Sequence, residues 1–241
     1  MDKTALITGA AHRIGAETTR SLHAIGYRVA VHFNESRAPA TTLADELNAE
    51  RADSACTVQG DLTDPAASPA LVEAVVTALG RLDLVVNNAS IYEPTNRETA
   101  DVERWDALMR TNVRAPYLLS TAAITALRAT RGAIINLTDI YGMRPQPGHI
   151  AYCTSKSALI GLTHAMARDL APDIRVNGIS PGPIVWADAD KPAYREEVLR
   201  KTPLARLGEM SDIARAACYL AEAPFVTGQI LNVDGGRSVF I

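Results

Sequence analysis

The chain has 241 residues, of which 47% are hydrophobic and 21% charged, and carries a formal net charge of −3. That length is enough for a large core in one or two domains, and that composition is typical of a soluble globular protein. No basic stripe points to nucleic acid, and the apolar run Ala5-Leu6-Ile7 is too short for a signal peptide or a membrane span, so a cytoplasmic location is expected.

Short β-branched runs alternate with longer helical patterns along the whole chain. Strands are expected at Thr4–Thr8, Arg28–Phe33, Ala55–Gln59, Leu84–Asn87, Ala133–Leu137, Arg175–Ile179 and Ile230–Val233. Helices are expected between them, at about Ile14–Ile25, Ala38–Ala49, Ala67–Leu79, Val102–Ala129, Ile150–Leu170 and Ser211–Leu220. Such alternation predicts an α/β fold: a Rossmann-like, doubly wound, seven-stranded parallel sheet with helices on both faces. No repeat or linker divides it, so residues 1–241 are expected to form one domain. The irregular stretch at about 181–208, with a short helix around Tyr194–Lys201, reads as a lid over a pocket. Cys56, Cys153 and Cys218 lack metal-type spacing and read as free thiols, and no histidine pairing suggests a metal site.

Thr8-Gly9-Ala10-Ala11-His12-Arg13-Ile14-Gly15 follows the first strand and opens a helix. Gly9 permits a tight turn, Gly15 permits close helix-to-strand packing, and the helix N-terminus offers N–H groups to a pyrophosphate. Arg13 stands where a middle glycine would be and adds a permanent cation suited to phosphate. The second strand ends in Phe33-Asn34-Glu35-Ser36-Arg37. Glu35 is at the distance where an acid holds the ribose hydroxyl of NAD, whereas Ser36, Arg37 and Arg13 suit the 2′-phosphate of NADP. The two cations favour NADPH, with Glu35 facing solvent. Asp61-Leu62 after the third strand could cap an adenine or simply form a turn. Small residues at Asn88-Ala89-Ser90 after the fourth would let the protein backbone approach a cofactor closely, or form an ordinary polar turn.

The fifth strand delivers Thr138 and Asp139 to the edge of the sheet where ligands bind. Thirteen residues after Asp139 comes Tyr152, and Lys156 follows four later, on the same helical face. An ammonium beside a phenol is expected to lower its pKa from about 10 and make it a proton donor.

Taken together, these motifs resemble the short-chain dehydrogenase/reductase family over essentially the whole length. The matching residues are the TGxxxRxG turn, Asp61-Leu62, Asn87-Asn88-Ala89, Thr111-Asn112-Val113, Tyr152-x-x-x-Lys156, Pro181-Gly182 and Val233-Asp234-Gly235-Gly236. The resemblance implies that Tyr152 is the general acid, that Lys156 holds the ribose, and that Asn112 joins the proton relay. It also implies that Pro181, Gly182 and Ile184 hold the nicotinamide carboxamide, while Gly9, Arg13, Ile14, Gly15, Phe33, Asn34, Ser36, Arg37, Asp61, Leu62, Asn88, Ala89, Ser90 and Thr138 line the rest of the cofactor.

Three departures from the common pattern look like the pteridine reductases of that family: Asp139 for the usual serine, Arg13 for the middle glycine and Ser90 for the glycine of NNAG. Tyr92 stands where those enzymes stack an aromatic on the pterin. A serine would donate to a developing oxyanion, but an ionised aspartate cannot; it can accept from the ring N–H and amino groups of a pterin. The reaction this implies is NADPH-dependent reduction of a dihydropterin, or also dihydrofolate, at a ring C=N, with the proton from Tyr152 or Asp139. Arg13, Ser90, Tyr92, Asp139, Tyr152 and the lid residue Trp186 are the expected substrate contacts. The alternatives are a carbonyl or 3-oxoacyl reductase with Asp139 protonated or turned away, and a non-catalytic nucleotide-binding regulator. In the family the alanine-rich helices Val102–Ala129 and Ile150–Leu170 pair between subunits, so the resemblance implies a homotetramer; the same faces could merely cover the sheet.

Overall fold

Runs such as Ala133-Ile134-Ile135 are apolar at every position because both faces of a parallel strand lie under helices. The computed structural model describes residues 2–96, 98–186 and 191–240, and in it each such run is a strand of one sheet. The strands are β1 (Thr4–Ile7), β2 (Arg28–Phe33), β3 (Ala55–Gln59), β4 (Leu84–Asn87), β5 (Ala133–Leu137), β6 (Arg175–Pro181) and β7 (Ile230–Val233). They pair in the order β3-β2-β1-β4-β5-β6-β7, all parallel. The chain order reverses between β1 and β4, and the loops leaving their carboxyl ends diverge there to open a crevice.

Period-two alternation sorts the strand side chains between two cores. Ala5, Ile7, Val29, Val31, Leu84, Val86 and Ile135 pack against α1 (Arg13–Ala24), α2 (Arg37–Glu50) and α8 (Met210–Glu222). Leu6, Ala30, Val85 and Ile134 face the other way, onto α3 (Ala67–Leu79), α5 (Ala115–Thr130) and α6 (Ile150–Leu170). No helix among the described residues is long and apolar enough to cross a membrane.

The continuous helix expected over Val102–Ala129 is corrected by the structure. It consists of α4 (Val102–Met109), one wide π turn at Arg110–Arg114, and α5. Pro116 explains the break: it has no N–H to return to the Asn112 carbonyl, and its ring would press on that carbonyl in an unbroken α-helix. The wide turn absorbs the misfit and carries Asn112 to a buried position. β6 runs two residues beyond the expected Ile179, to Pro181. A 3₁₀ turn at Ile140–Gly142 and the short α9 (Arg237–Phe240) had no periodic signal because neither is long enough to show one. In the expected lid, α7 spans Pro192–Arg200, slightly before the expected Tyr194–Lys201, while residues 187–190 lie outside the described residues.

A buried polar ladder ties the sheet to the helices that matter most. Asn87 Nδ2 donates to Ser120 Oγ of α5 at 3.0 Å and to Asn136 Oδ1 of β5 at 2.8 Å. Asn136 Nδ2 donates to Thr163 Oγ1 of α6 at 2.9 Å. These side chains are almost wholly shielded from water, so each bond prevents the cost of a buried, unpaired polar group. Asn136→Ala is expected to lower the free energy of unfolding by about 1–3 kcal/mol for the groups it orphans. Urea titration checks this, and a loss below about 0.5 kcal/mol would mean that the ladder is not what locks α6 to β5.

Candidate active site

β5 ends against β6 with Thr138, whose Oγ1 donates to the Ile179 carbonyl at 2.8 Å and lies 2.7 Å from Ser180 Oγ. This knot fixes the next residue, Asp139. Its Oδ1 accepts from the Tyr141 N–H at 2.8 Å and caps the 3₁₀ turn, and its Oδ2 accepts from the Tyr152 hydroxyl at 2.7 Å. Tyr152 and Lys156 lie one turn apart on α6, and both are buried. Lys156 Nζ donates to the Leu137 carbonyl at 2.8 Å and lies 5.8 Å from the centre of the Tyr152 ring. The structure thus brings Asp139, Tyr152 and Lys156 into one cluster at the carboxyl end of β5.

Burial governs the charges of this cluster. It pushes the Asp139 carboxyl above its ordinary value, against the opposing hydrogen bonds from Tyr141 and Tyr152 and the Lys156 charge. It brings Lys156 down to about 8, although the Asp139 charge works the other way. The spacing of Tyr152 and Lys156 predicts a lowered phenol pKa, and here the structure corrects it: the phenol is held well above its ordinary value. The causes are burial and then the Asp139 carboxyl directly on its oxygen. The ammonium is instead directed at the Leu137 carbonyl. A phenol in this setting keeps its proton throughout the neutral range.

Asn112 joins the cluster from the π turn. Its Oδ1 accepts from the Ser90 hydroxyl and the Ile91 N–H, both at 3.0 Å, and its Nδ2 donates to the Ile91 carbonyl at 3.0 Å and Ser155 Oγ at 3.1 Å. Ser90 is therefore held by Asn112. Tyr92 packs edge-on to Tyr152 with ring centroids 4.7 Å apart, and its face stacks on His149 at 4.7 Å with planes 14° apart. Its hydroxyl donates to Gln146 Oε1 at 3.0 Å, while Gln146 Nε2 donates to the hydroxyl of Tyr194 on α7 at 3.2 Å. Trp186 lies under the Arg195 guanidinium, 5.5 Å from the ring centre. Gln146, His149 and Tyr194 are the residues that sequence reasoning missed. The signal for Gln146 and His149 was faint, polar and ring-bearing residues within the irregular stretch between Asp139 and Tyr152, and Tyr194 on α7 carried none.

At the other end of the crevice, Gly9 has φ +59, and a Cβ on Gly15 would come within 2.3 Å of the Gly9 carbonyl oxygen. Only glycine fits there. Asn88 Nδ2 donates to the Thr8 carbonyl at 2.8 Å and the Gly9 carbonyl at 3.1 Å, and the Asn88 and Ala89 N–H groups donate to Thr8 Oγ1 at 2.9 and 3.0 Å. The turn after β1 and the loop after β4 are thereby one unit. Arg13 and Glu35 are exposed, and Arg13 makes no hydrogen bond or ion pair with the described residues. Ile14 packs on the core at the start of α1. Arg37 donates to Gln59 Oε1, and its guanidinium lies 5.3 Å from the Phe33 ring centre, while Gln59 Nε2 donates to the Asn34 carbonyl at 2.9 Å. Ser36 precedes α2 without capping it through its side chain. Asp61 Oδ1 accepts from the Thr63 N–H at 2.9 Å and its hydroxyl at 2.8 Å, which makes Asp61 a turn residue whose other oxygen is unused by these bonds; Leu62 beside it is buried. Pro181 ends β6, the Gly182 N–H donates to the Val233 carbonyl at 3.0 Å, and Ile184 packs on the core.

Residues 9–238 match the family model described as "Enoyl-(Acyl carrier protein) reductase". The chain is 36% identical to a 3-oxoacyl-[acyl-carrier-protein] reductase of Staphylococcus aureus over 98% of both chains. It is also 36% identical to pteridine reductase 1 of Leishmania tarentolae, over 98% of this chain and 96% of that one. A 3-oxoacyl-[acyl-carrier-protein] reductase of Synechocystis is 32% identical over 99% of this chain and 98% of its own.

The buried lysine has a measurable consequence. With its pKa at about 8 rather than the ordinary 10.5, the folded chain releases this proton at lower pH than the unfolded chain does. Between those values the unfolded state binds more protons, so stability rises with pH across that window, and below it the folded state carries the whole penalty of the buried charge. Relative to Lys156→Met, wild-type stability is expected to gain up to about 3 kcal/mol across the window. Urea midpoints measured over that range check this, and a gap independent of pH would contradict it.

Proposed function

The chain belongs to the short-chain dehydrogenase/reductase family, and from that premise we propose that it is an NADPH-dependent reductase of a dihydropterin. One observation carries the proposal: a half-buried carboxyl, Asp139, stands 2.7 Å from the Tyr152 hydroxyl, at the position where the family commonly has a serine.

The carboxyl edge of the sheet fits a phosphorylated dinucleotide. The Gly15 cradle excludes even a methyl group, and no side chain caps the N-terminus of α1 and no acid sits in its first turn. Backbone N–H groups at that helix end, with Arg13, would hold the pyrophosphate. Ser36 and Arg37 would hold a 2′-phosphate, with Glu35 pointing to solvent; this supports NADPH over NADH. Lys156 would hold the nicotinamide-side ribose, and Pro181 to Ile184 the carboxamide. When bound, the nicotinamide supplies hydride.

The chain's own residues supply the rest. Asp139, as carboxylate, accepts from the N–H and amino groups of the heterocycle and so sets its orientation. Tyr152, kept protonated by burial and by Asp139, holds the proton that the ring nitrogen needs as the C=N bond is reduced. Asn112 and Ser155 lie behind Tyr152 and keep that part of α6 in place. Tyr92, set against His149, offers an aromatic wall beside Tyr152, with Ser90, Arg13 and Trp186 as the further substrate contacts.

A second reading, reduction of a 3-oxoacyl thioester, is favoured by a different observation. Burial raises the Asp139 pKa, and a protonated acid could donate to a carbonyl oxygen as a serine does. Relatives bearing that name match as well as the pteridine reductase. The two readings need opposite protonation states, so their pH profiles differ in sign. The pterin reading expects kcat/KM to rise with pH through a limb above the usual carboxylate range; the thioester reading expects it to fall through the same limb. NADPH oxidation with dihydrobiopterin and with acetoacetyl-CoA, from pH 5 to 9, separates them. Asp139→Ser is expected to reduce dihydropterin kcat/KM by about 10²-fold. Turnover of the thioester but never of the pterin would overturn the proposal.

A further inference from the structure

Beneath the glycine turn lies a buried histidine that the proposed chemistry does not use. His32, in β2, directs its ring between two loops that are far apart in sequence. Nδ1 lies 3.2 Å from the Gly9 nitrogen, and Nε2 lies 3.0 Å from the Gly60 carbonyl oxygen. The backbone of His32 adds a third link, its carbonyl accepting from the Ala10 N–H at 2.9 Å. Gly60 in turn donates its N–H to the Phe33 carbonyl at 3.1 Å. Among the described residues, no other side chain is hydrogen-bonded to both the turn after β1 and the loop after β3.

We propose that His32 is a positioning residue for the dinucleotide, a neutral imidazole that fixes the spacing between the phosphate turn and the loop beside the adenosine. The partners dictate the tautomer. A backbone N–H can only donate and a carbonyl can only accept, so Nδ1 carries no proton and Nε2 carries one. Burial reinforces the neutral form by lowering the basicity of the ring. Gly9 sits at φ +59, and the imidazole commits its N–H to the protein interior, holding the peptide plane in one orientation. The same ring holds Gly60, immediately before Asp61 and Leu62. One side chain therefore sets two walls of the adenosine half together. The inference rests on the dinucleotide reading above and adds to it a residue with no contact to the ligand.

Three variants separate the two bonds. In His32→Asn the amide oxygen stands near the place of Nδ1 and still accepts from Gly9. In His32→Gln the amide nitrogen stands near the place of Nε2 and still donates to Gly60. His32→Leu does neither. Kd is measured for NADPH by its fluorescence and for adenosine 2′,5′-bisphosphate by calorimetry, on protein shown by circular dichroism to be folded and held well below its melting point. Asn and Gln are each expected to weaken both ligands by about 3- to 10-fold, and Leu by about 30-fold or more. A purely structural role would lower the melting temperature and leave both Kd values unchanged. If Leu does not fold, Asn and Gln carry the test, and ¹⁵N NMR of the wild-type imidazole reads the tautomer directly. Wild-type Kd values in folded Asn and Gln variants, or a proton on Nδ1, would overturn the role of His32 alone. A wild type that binds neither NADPH nor NADH would overturn the dinucleotide reading and this inference with it.

Discussion

Asp139 and Lys156 bring opposite charges into the interior on either side of one phenol, and burial works against both of them. Neither group would be tolerable alone. The aspartate is compensated by the Tyr141 N–H and the Tyr152 hydroxyl, and the lysine by the Leu137 carbonyl. Those partners come from the end of β5, the 3₁₀ turn that follows it and the first turns of α6. The active-site constellation therefore depends on how rigidly α6 is held to the sheet. A set of buried side-chain hydrogen bonds, from Asn87 through Asn136 to Thr163, runs directly behind it.

The same logic explains the π turn. An α-helix continued through Pro116 would have left the Asn112 carbonyl unpaired against the proline ring. Widening one turn puts the Asn112 amide instead between the Ser90 hydroxyl and Ile91 backbone on one side and Ser155 on the other. A local misfit in one helix thus becomes the link between the loop after β4 and the helix of Tyr152. At the nucleotide end the corresponding linkage comes from Thr8, Asn88 and His32, whose side chains join the carboxyl-edge loops of β1, β3 and β4. The sheet supplies the layout, and these few polar side chains set the distances.

One family and one fold accommodate relatives named for pterin and for 3-oxoacyl substrates at equal identity to this chain. On the proposed reading, the residue after β5 would separate the two activities: a serine can donate to an oxygen that gains negative charge, whereas a carboxylate can only accept. Asp139 lies between these limits, because raising its pKa moves it towards the donor form.

Strand positions and their parallel direction were legible in the sequence because fully buried strands make continuous apolar runs joined by helices, and the glycines of the turn after β1 mark where no side chain fits. Asp139, Tyr152 and Lys156 were legible as a set because topology brings the end of β5 and the start of α6 to one edge, whereas Asn112 was implied only by the family resemblance and reaches them through the π turn. Periodicity did not reveal the break at Arg110–Arg114, since the apolar pattern continues through it and only Pro116 disagrees. Nor did it reveal the Tyr92–Gln146–Tyr194 chain, whose members are widely separated in sequence and meet only through loop geometry. The sequence by itself determined the sheet, the glycine turn after β1 and the side chains brought together at the end of β5, because these follow from local pattern and residue chemistry. The tertiary structure decided the sign of the tyrosine's shift and the tautomer of His32, because both depend on which atoms approach within hydrogen-bonding distance and on how completely water is excluded.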